Sequence, residues 1–302
     1  KMFKENILIT GATGFLGSHL ALSFANSNVY IARRIHSETG EWRLSSLKNV
    51  NTIDIDKLRK GTLDKTVEGN LIPEFDCVYH LATSGNQFGK YETHSLVDGT
   101  VSLTMDIVSF CHWNKSKKLI IIGSSAEYGD HGDKKLSESM KLKPVSIYGA
   151  SKVSAVLMGL TFAEYLKVNI NVARLFPVYG PADKAFNVIP SMIQAMFTEV
   201  PIDLTQGEQI RDFIYVDDVI EALHQMKIKD LKSGQIINIG TGNGYSLLEI
   251  GDFLLNLSKT NPRVFRWGVR PYRDNEVMKM VCDTKKSNSL LKWNSQTSII
   301  DG

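Results

Sequence analysis

Ile7-Leu8-Ile9-Thr10-Gly11-Ala12-Thr13-Gly14-Phe15-Leu16-Gly17 is an apolar run, a glycine-spaced turn and the start of a helical stretch. Glycine at 11 and 14 lets main chain come close to an anion, and Gly17 permits tight packing of helix on strand. The helix N-terminus offers unpaired N–H groups to a phosphate. A glycine triplet alone is a weak signal. With a strand before it and a helix after it, the stretch reads as the first βα turn of a sheet that holds a dinucleotide.

Outward from this turn, short apolar runs alternate with helical stretches. Strands are predicted at Ile7–Thr10, Val29–Ala32, Asn51–Ile55, Cys77–Leu81, Leu119–Gly123 and Ile170–Leu175. Helices are predicted at Phe15–Asn26, Leu96–Trp113 and Ile147–Leu166, where apolar residues recur at three- and four-residue steps. The alternation predicts an α/β fold with a doubly wound parallel sheet. From Pro177 to Gln209 it breaks, punctuated by Pro181, Pro190 and Pro201, and it resumes with Arg211–Val216, a helix over Asp217–Met226 and a strand over Gln235–Ile239. The expected division is a dinucleotide-binding domain of residues 1–176 and 211–242 and a smaller substrate-binding lobe of residues 177–210 and 243–302, which includes a helix at Leu247–Leu257.

A chain of 302 residues with 43% hydrophobic content can bury a large core. Thirty-five basic against 32 acidic side chains leave +3, without a long basic block, so neither nucleic acid nor a membrane surface is expected as partner. Cys77, Cys111 and Cys282 lie far apart without CxxC or Cys/His spacing, which argues against a metal site and a disulfide framework. Without a hydrophobic leader or a run of about 20 apolar residues, a cytoplasmic protein is expected.

Where the second strand ends, a carboxylate would grip the ribose 2′-hydroxyl of NAD, but the sequence reads Ile31-Ala32-Arg33-Arg34. Arginine there suits a 2′-phosphate, so NADP(H) is the favoured cofactor and NAD(H) the alternative; either arginine could instead be solvated or stacked on adenine. Asp54, followed by Ile55, is placed for adenine or for a turn. His80 reads as a packed residue rather than a base.

Tyr148 and Lys152 stand at i and i+4 of a helical stretch, so phenol and ammonium share a face, and the positive charge is expected to lower the tyrosine pKa. That prepares a general acid/base for interconverting alcohol and ketone. Ile120-Ile121-Ile122-Gly123-Ser124-Ser125 carries a strand into two hydroxyls at the end where such sheets bind ligands. Taken alone, the serines read as loop residues, Tyr148 as a core aromatic and Lys152 as a solvated charge.

TGxxGxxG, His80-Leu81-Ala82, Ser124-Ser125-x-x-Tyr128-Gly129, YxxxK, Arg174-Leu175-Phe176-Pro177-Val178-Tyr179-Gly180-Pro181 and Arg211-Asp212-Phe213 occur in one order. As an ordered set from about Asn6 to Trp293 they resemble the extended short-chain dehydrogenase/reductases, the Rossmann-fold group of nucleotide-sugar epimerases, dehydratases and ketoreductases. The resemblance implies that Ser124 is the catalytic hydroxyl, Tyr148 the acid/base, and Lys152 the holder of the nicotinamide ribose. It implies cofactor contacts at Gly11, Thr13, Gly14, Phe15, Leu16 and Gly17, at Leu81, Ala82 and Thr83, and at Ile55 and Pro177. Arg211 and Arg273 would bind a substrate diphosphate, and Ser84, Ser125, Asn187 and Val188 would also touch substrate. For Arg211 an ion pair with Asp212, Asp217 or Asp218 is the alternative. A homodimer through the helices after the fourth and fifth strands is implied as well.

Departures from the family pattern narrow the chemistry. Dehydratases carry Asp-Glu directly after the catalytic hydroxyl, where this chain has Ser125-Ala126, and Glu127 one step on should point elsewhere. Leu96 stands where relatives often have an asparagine that supports the active-site helix. Pro177 replaces an asparagine common in epimerases, and Arg33-Arg34 lacks their grip on NAD. The expected reaction is NADPH-dependent reduction of the C4 ketone of a nucleotide-linked deoxyhexose. A 4-epimerase with retained NAD is the enzymatic alternative, and a dinucleotide-sensing or scaffold protein the non-enzymatic one.

Overall fold

The computed structural model describes residues 4–34, 40–47, 50–59, 61, 66–67, 70–83, 93–258 and 261–302. Seven strands form the central sheet: β1 (Asn6–Thr10), β2 (Asn28–Arg33), β3 (Asn51–Asp54), β4 (Cys77–His80), β5 (Leu119–Ser124), β6 (Ile170–Leu175) and β7 (Ile236–Ile239). Their order is 7-6-5-4-1-2-3 and every pairing is parallel. The chain crosses from one side of β1 to the other, which opens a crevice at the carboxyl ends of β1 and β4. The predicted doubly wound sheet is the observed one, with strand ends within a residue or two.

Alternation along the strands decides which helices cover which face. Ile7, Ile9, Tyr79 and Ile120 point into one core, with Leu20 and Ala21 of α1 (Phe15–Ser23) and Val219, Leu223 and Met226 of the helix Val216–Ile228. Leu8, Val78, Leu119 and Ile121 point into the other, against α2 (Leu103–Asn114) and α3 (Ile147–Leu166). Ser146 caps α3 by accepting the Gly149 N–H at 3.0 Å, and Lys167, at φ 60, ends it in the left-handed region.

The substrate-side lobe has its own small core. Ile189 and Met192 of α4 (Val188–Thr198) meet Tyr179, Leu204, Phe213 and Phe265, together with Leu247 and Ile250 of the helix Leu247–Ser258. Three small strand groups tie it together: Val178–Tyr179 beside Ile214–Tyr215, Ile202–Asp203 beside Phe265–Arg266, and Ile210–Arg211 between Tyr245–Ser246 and Lys279–Met280. The expected boundary needs one correction. The last helix, Lys285–Leu291, packs against β7, and Leu291 and Trp293 join the core of the main sheet. The strand-helix alternation has ended there, so the sequence places the tail in the second lobe. Packing of its apolar side chains brings it back.

Candidate active site

The first βα turn is built as a cradle. Gly11 sits at φ 73 with the Ala82 main chain so close that an added Cβ would lie 2.8 Å from the Ala82 nitrogen; at Gly17 a Cβ would meet the Gly11 carbonyl oxygen at 2.2 Å. Gly14 caps α1 without a side-chain bond, and no acidic residue stands in the first turn. The N–H groups there face outward with a favourable dipole, so the residues present fit a dinucleotide pyrophosphate.

A cleft of about 1680 Å³ runs from this cradle between the sheet and the smaller lobe. Gly11, Thr13, Gly14, Phe15, Leu16 and Gly17 wall one end; Leu81, Ala82 and Thr83 continue it, followed by Ser124, Ser125, Tyr148 and Pro177. Asn187, Val188, Arg211 and Arg273 lie at the far end. The sequence-predicted groups therefore converge on one space, while Arg33, Arg34, Asp54 and Ile55 lie outside its wall. Asp54 accepts the Asp56 N–H at 3.0 Å, the turn role, and Ile55 is buried in the core. Ser84 falls outside the described residues.

Ser124 is the last residue of β5, and Tyr148 the second of α3; both line the cleft, with the serine close enough to act on the phenol. Lys152, nearly fully buried, donates to the Ile122 carbonyl at 2.9 Å. The expected lowering of the tyrosine pKa is overturned. Burial of the phenol pushes it up to about 12, against an opposing pull from Ser124, with the Glu127 charge adding to the rise. Burial also pushes Lys152 down to about 8, while Glu127 acts the other way. The ammonium is directed at a main-chain oxygen rather than at the ring, so the shared helix face alone does not set the phenol.

Glu127 points away from the cleft, as expected. Its carboxylate, fully buried, accepts the Ser124 N–H at 2.6 Å and pairs with Arg174 at 2.7 Å. Arg174 also donates to the Tyr128 hydroxyl at 2.9 Å, which donates to Asn238 at 2.7 Å. His80 is a packed residue. It bonds Thr10 Oγ1 at 2.7 Å through Nδ1 and Thr104 Oγ1 at 3.1 Å through Nε2, and burial lowers its pKa to about 3. Thr104 donates to the Thr100 carbonyl, and the Thr100 hydroxyl meets that of Thr83 at 3.0 Å. These hydroxyls link the end of β4 to the helical stretch that follows the fully buried Leu96; a π-helical turn over Asp98–Ser102 interrupts the predicted single helix there.

At the far end, Arg211 pairs with Glu276 at 2.6 Å rather than with Asp212, Asp217 or Asp218. Asp212 accepts from Thr241 N and Oγ1, Gly242 N and Cys282 N, stapling the substrate strand to the end of β7. Burial lowers the Arg211 pKa, opposed by Glu276, and Arg273 adds its repulsion. Arg270 joins both on the cleft wall. Sequence reading missed it, although Arg270-Pro271-Tyr272-Arg273 places two guanidinium groups three residues apart. Three arginines against one glutamate suit a diphosphate.

Arg33 is ion-paired with Glu41, which the connection after β2 brings back to the strand end. Sequence distance hid that partner, and the expectation of an arginine open to a 2′-phosphate changes with it.

A model of the NAD dependent epimerase/dehydratase family matches residues 7–240. The chain belongs to this family. It is similar, at 25% identity over 98% of its own length and 95% of the relative's, to an uncharacterized UDP-glucose epimerase, YtcB, of Bacillus subtilis (strain 168). A CDP-abequose synthase of Salmonella typhimurium (strain LT2) is 28% identical, covering 95% and 92% of the two chains. Among solved structures, the UDP-glucuronic acid 4-epimerase of Bacillus cereus, in complex with UDP-glucuronic acid and NAD, superposes with a TM-score of 0.86 at 27% identity, covering 98% and 96%. Members of the family matched here are nucleotide-sugar enzymes, and no helix among the described residues is long and apolar enough to cross a membrane.

Proposed function

We propose that this protein is an NAD-dependent 4-epimerase of a nucleotide-diphosphate sugar. The observation that carries the reading is one continuous cleft with the glycine cradle at one end, the Ser124–Tyr148 hydroxyl pair in the middle and Arg211, Arg270 and Arg273 at the other. A long ligand with an anionic linker and an alcohol carbon at its centre matches that sequence of groups. Of the two reactions weighed on sequence, the relatives support epimerisation over net NADPH-dependent reduction.

With its pyrophosphate held at the glycine cradle, NAD would supply a reversible hydride acceptor. For the oxidation half Tyr148 works as the phenolate, which takes the proton of the sugar hydroxyl as hydride leaves carbon for NAD, and as the phenol it returns that proton on reduction. Ser124 shares the same oxygen through a hydrogen bond. The arginines hold the diphosphate while the sugar turns over between the two half-reactions.

The Arg33–Glu41 pair supports NAD over NADP, since it occupies a guanidinium otherwise suited to a 2′-phosphate and brings a carboxylate to the end of β2. Glu41→Gln is expected to raise NADPH affinity relative to NADH, measured by fluorescence titration; an unchanged ratio removes this argument. Net 4-ketoreduction is the second reading. Two observations favour it: a phenol held neutral is set to deliver a proton to a carbonyl, and Arg34 remains exposed beside the nucleotide end.

The deciding experiment incubates the protein with UDP-glucose, UDP-N-acetylglucosamine or UDP-glucuronic acid and NAD, and follows C4 inversion by NMR. Inversion without net NADH formation is expected. Stoichiometric NADPH consumption with a 4-keto nucleotide sugar, and no inversion of any substrate, would overturn it. The family resemblance also supports a homodimer through α2 and α3, where Leu157, Met158 and Tyr165 stand exposed.

A further inference from the structure

Behind the hydroxyl pair lies a charge that the proposed reaction does not use. Glu127 is fully buried, as is its partner Arg174, and both carboxylate oxygens are committed: Oε1 to the Ser124 N–H at 2.6 Å, Oε2 to Arg174 Nε at 2.8 Å and Nη2 at 2.7 Å. Ser124 answers by accepting the Ala126 N–H at 3.2 Å, which closes a reciprocal cap around the turn Ser125–Glu127. Gly123 leaves the room, because a Cβ there would stand 2.7 Å from Oε1. Arg174 is in register with Gly123 on the neighbouring strand, so its guanidinium approaches from the sheet side.

We propose that Glu127 is a positioning residue, whose Arg174-clamped carboxylate fixes the Ser124 main chain and serves as the counter-charge of buried Lys152. A proton-transfer role does not fit, since neither oxygen reaches the cleft. A purely stabilising role is a weak explanation: a buried ion pair commonly adds little to stability beyond what apolar side chains of similar volume provide. What the pair does supply is a carboxylate held in one place behind the strand end. Lys152 bonds the Ile122 carbonyl, and Glu127 the Ser124 N–H, two residues further along the same strand.

The groups facing this charge are few. Arg174 comes from β6, Tyr148 and Lys152 from α3, and Ser124 and Tyr128 from its own segment; Asn238 of β7 and, through the Asn238 N–H, Glu138 stand behind Tyr128. Burial lowers the Lys152 pKa to about 8 and Glu127 opposes that fall. Without the carboxylate, the ammonium would give up its proton more readily than it does beside Glu127.

The inference rests on the proposed reading only in treating Ser124, Tyr148 and Lys152 as the working groups, and its test needs no substrate. The probe is protein labelled with carbon-13 at lysine Cε, with the Lys152 resonance identified by its loss in Lys152→Met. In Glu127→Gln, which keeps the size and the acceptor for the Ser124 N–H, the Lys152 titration midpoint is expected to fall, making the ammonium about tenfold more acidic. A merely structural glutamate leaves the midpoint where it is in the wild type. If Glu127→Gln does not fold, Glu127→Gln with Arg174→Met removes both charges and leaves none uncompensated. A folded variant of either kind whose Lys152 titrates as in the wild type would refute the proposal, whatever reaction the enzyme catalyses.

Discussion

On the shared face of α3, burial moves the two working groups in opposite directions, the Tyr148 phenol up and the Lys152 ammonium down. The i, i+4 rule places two side chains on one helix face; it does not say that one will be turned to the Ile122 carbonyl and both desolvated. Tyr148→Phe is expected to leave NAD affinity unchanged in calorimetry and to lower turnover by about 10²–10⁴-fold; undiminished turnover would mean that another group carries the proton. The lysine makes a separate prediction about stability. Its folded pKa of about 8 lies below the ordinary 10.5, so the unfolded chain binds more protons between these values and stability rises with pH across that window. Measured by denaturant unfolding against Lys152→Met, the wild type should gain up to about 3 kcal/mol from pH 8 to 10.5. A difference that stays flat across this range contradicts the buried, depressed ammonium.

Elements were the most readable level. The strands announce themselves as β-branched and aliphatic runs, and the glycine-spaced turn fixes where β1 meets α1. Gly17→Ala is expected to cost about 1–3 kcal/mol in unfolding experiments and to weaken NAD binding, because the new methyl would collide with the Gly11 carbonyl that shapes the cradle. Unaltered stability together with unaltered affinity would show that the loop can move aside. Two features of the elements were hidden. The π-helical turn over Asp98–Ser102 sits beside a relay of Thr83, Thr100, Thr104 and His80 side chains that joins the end of β4 to the helical stretch, and the partner of Arg33 arrives from eight residues further on. Local sequence carries no period that reports contacts of this kind.

For the whole molecule, the end of the chain was hidden from the sequence, since the decisive contacts of Leu291 and Trp293 are with side chains more than fifty residues away. Glu276, three residues beyond Arg273, likewise became the partner of Arg211 only in three dimensions. The exposed apolar residues of α3 carry the last prediction. Leu157→Glu is expected to convert a dimer into a monomer in light scattering, with the far-ultraviolet circular dichroism unchanged; a monomeric wild type would remove the proposed interface. Asp212 has a wider consequence. By fastening the strand that bears Arg211 to the loop beyond β7, it holds that guanidinium at a set distance from the Tyr148 end of the cleft, the span that the proposed nucleotide sugar would have to bridge. A sugar tethered at that fixed mooring can swing to offer either side of its ring, whereas one attached through a longer or shorter linker would overshoot or fall short of the phenol.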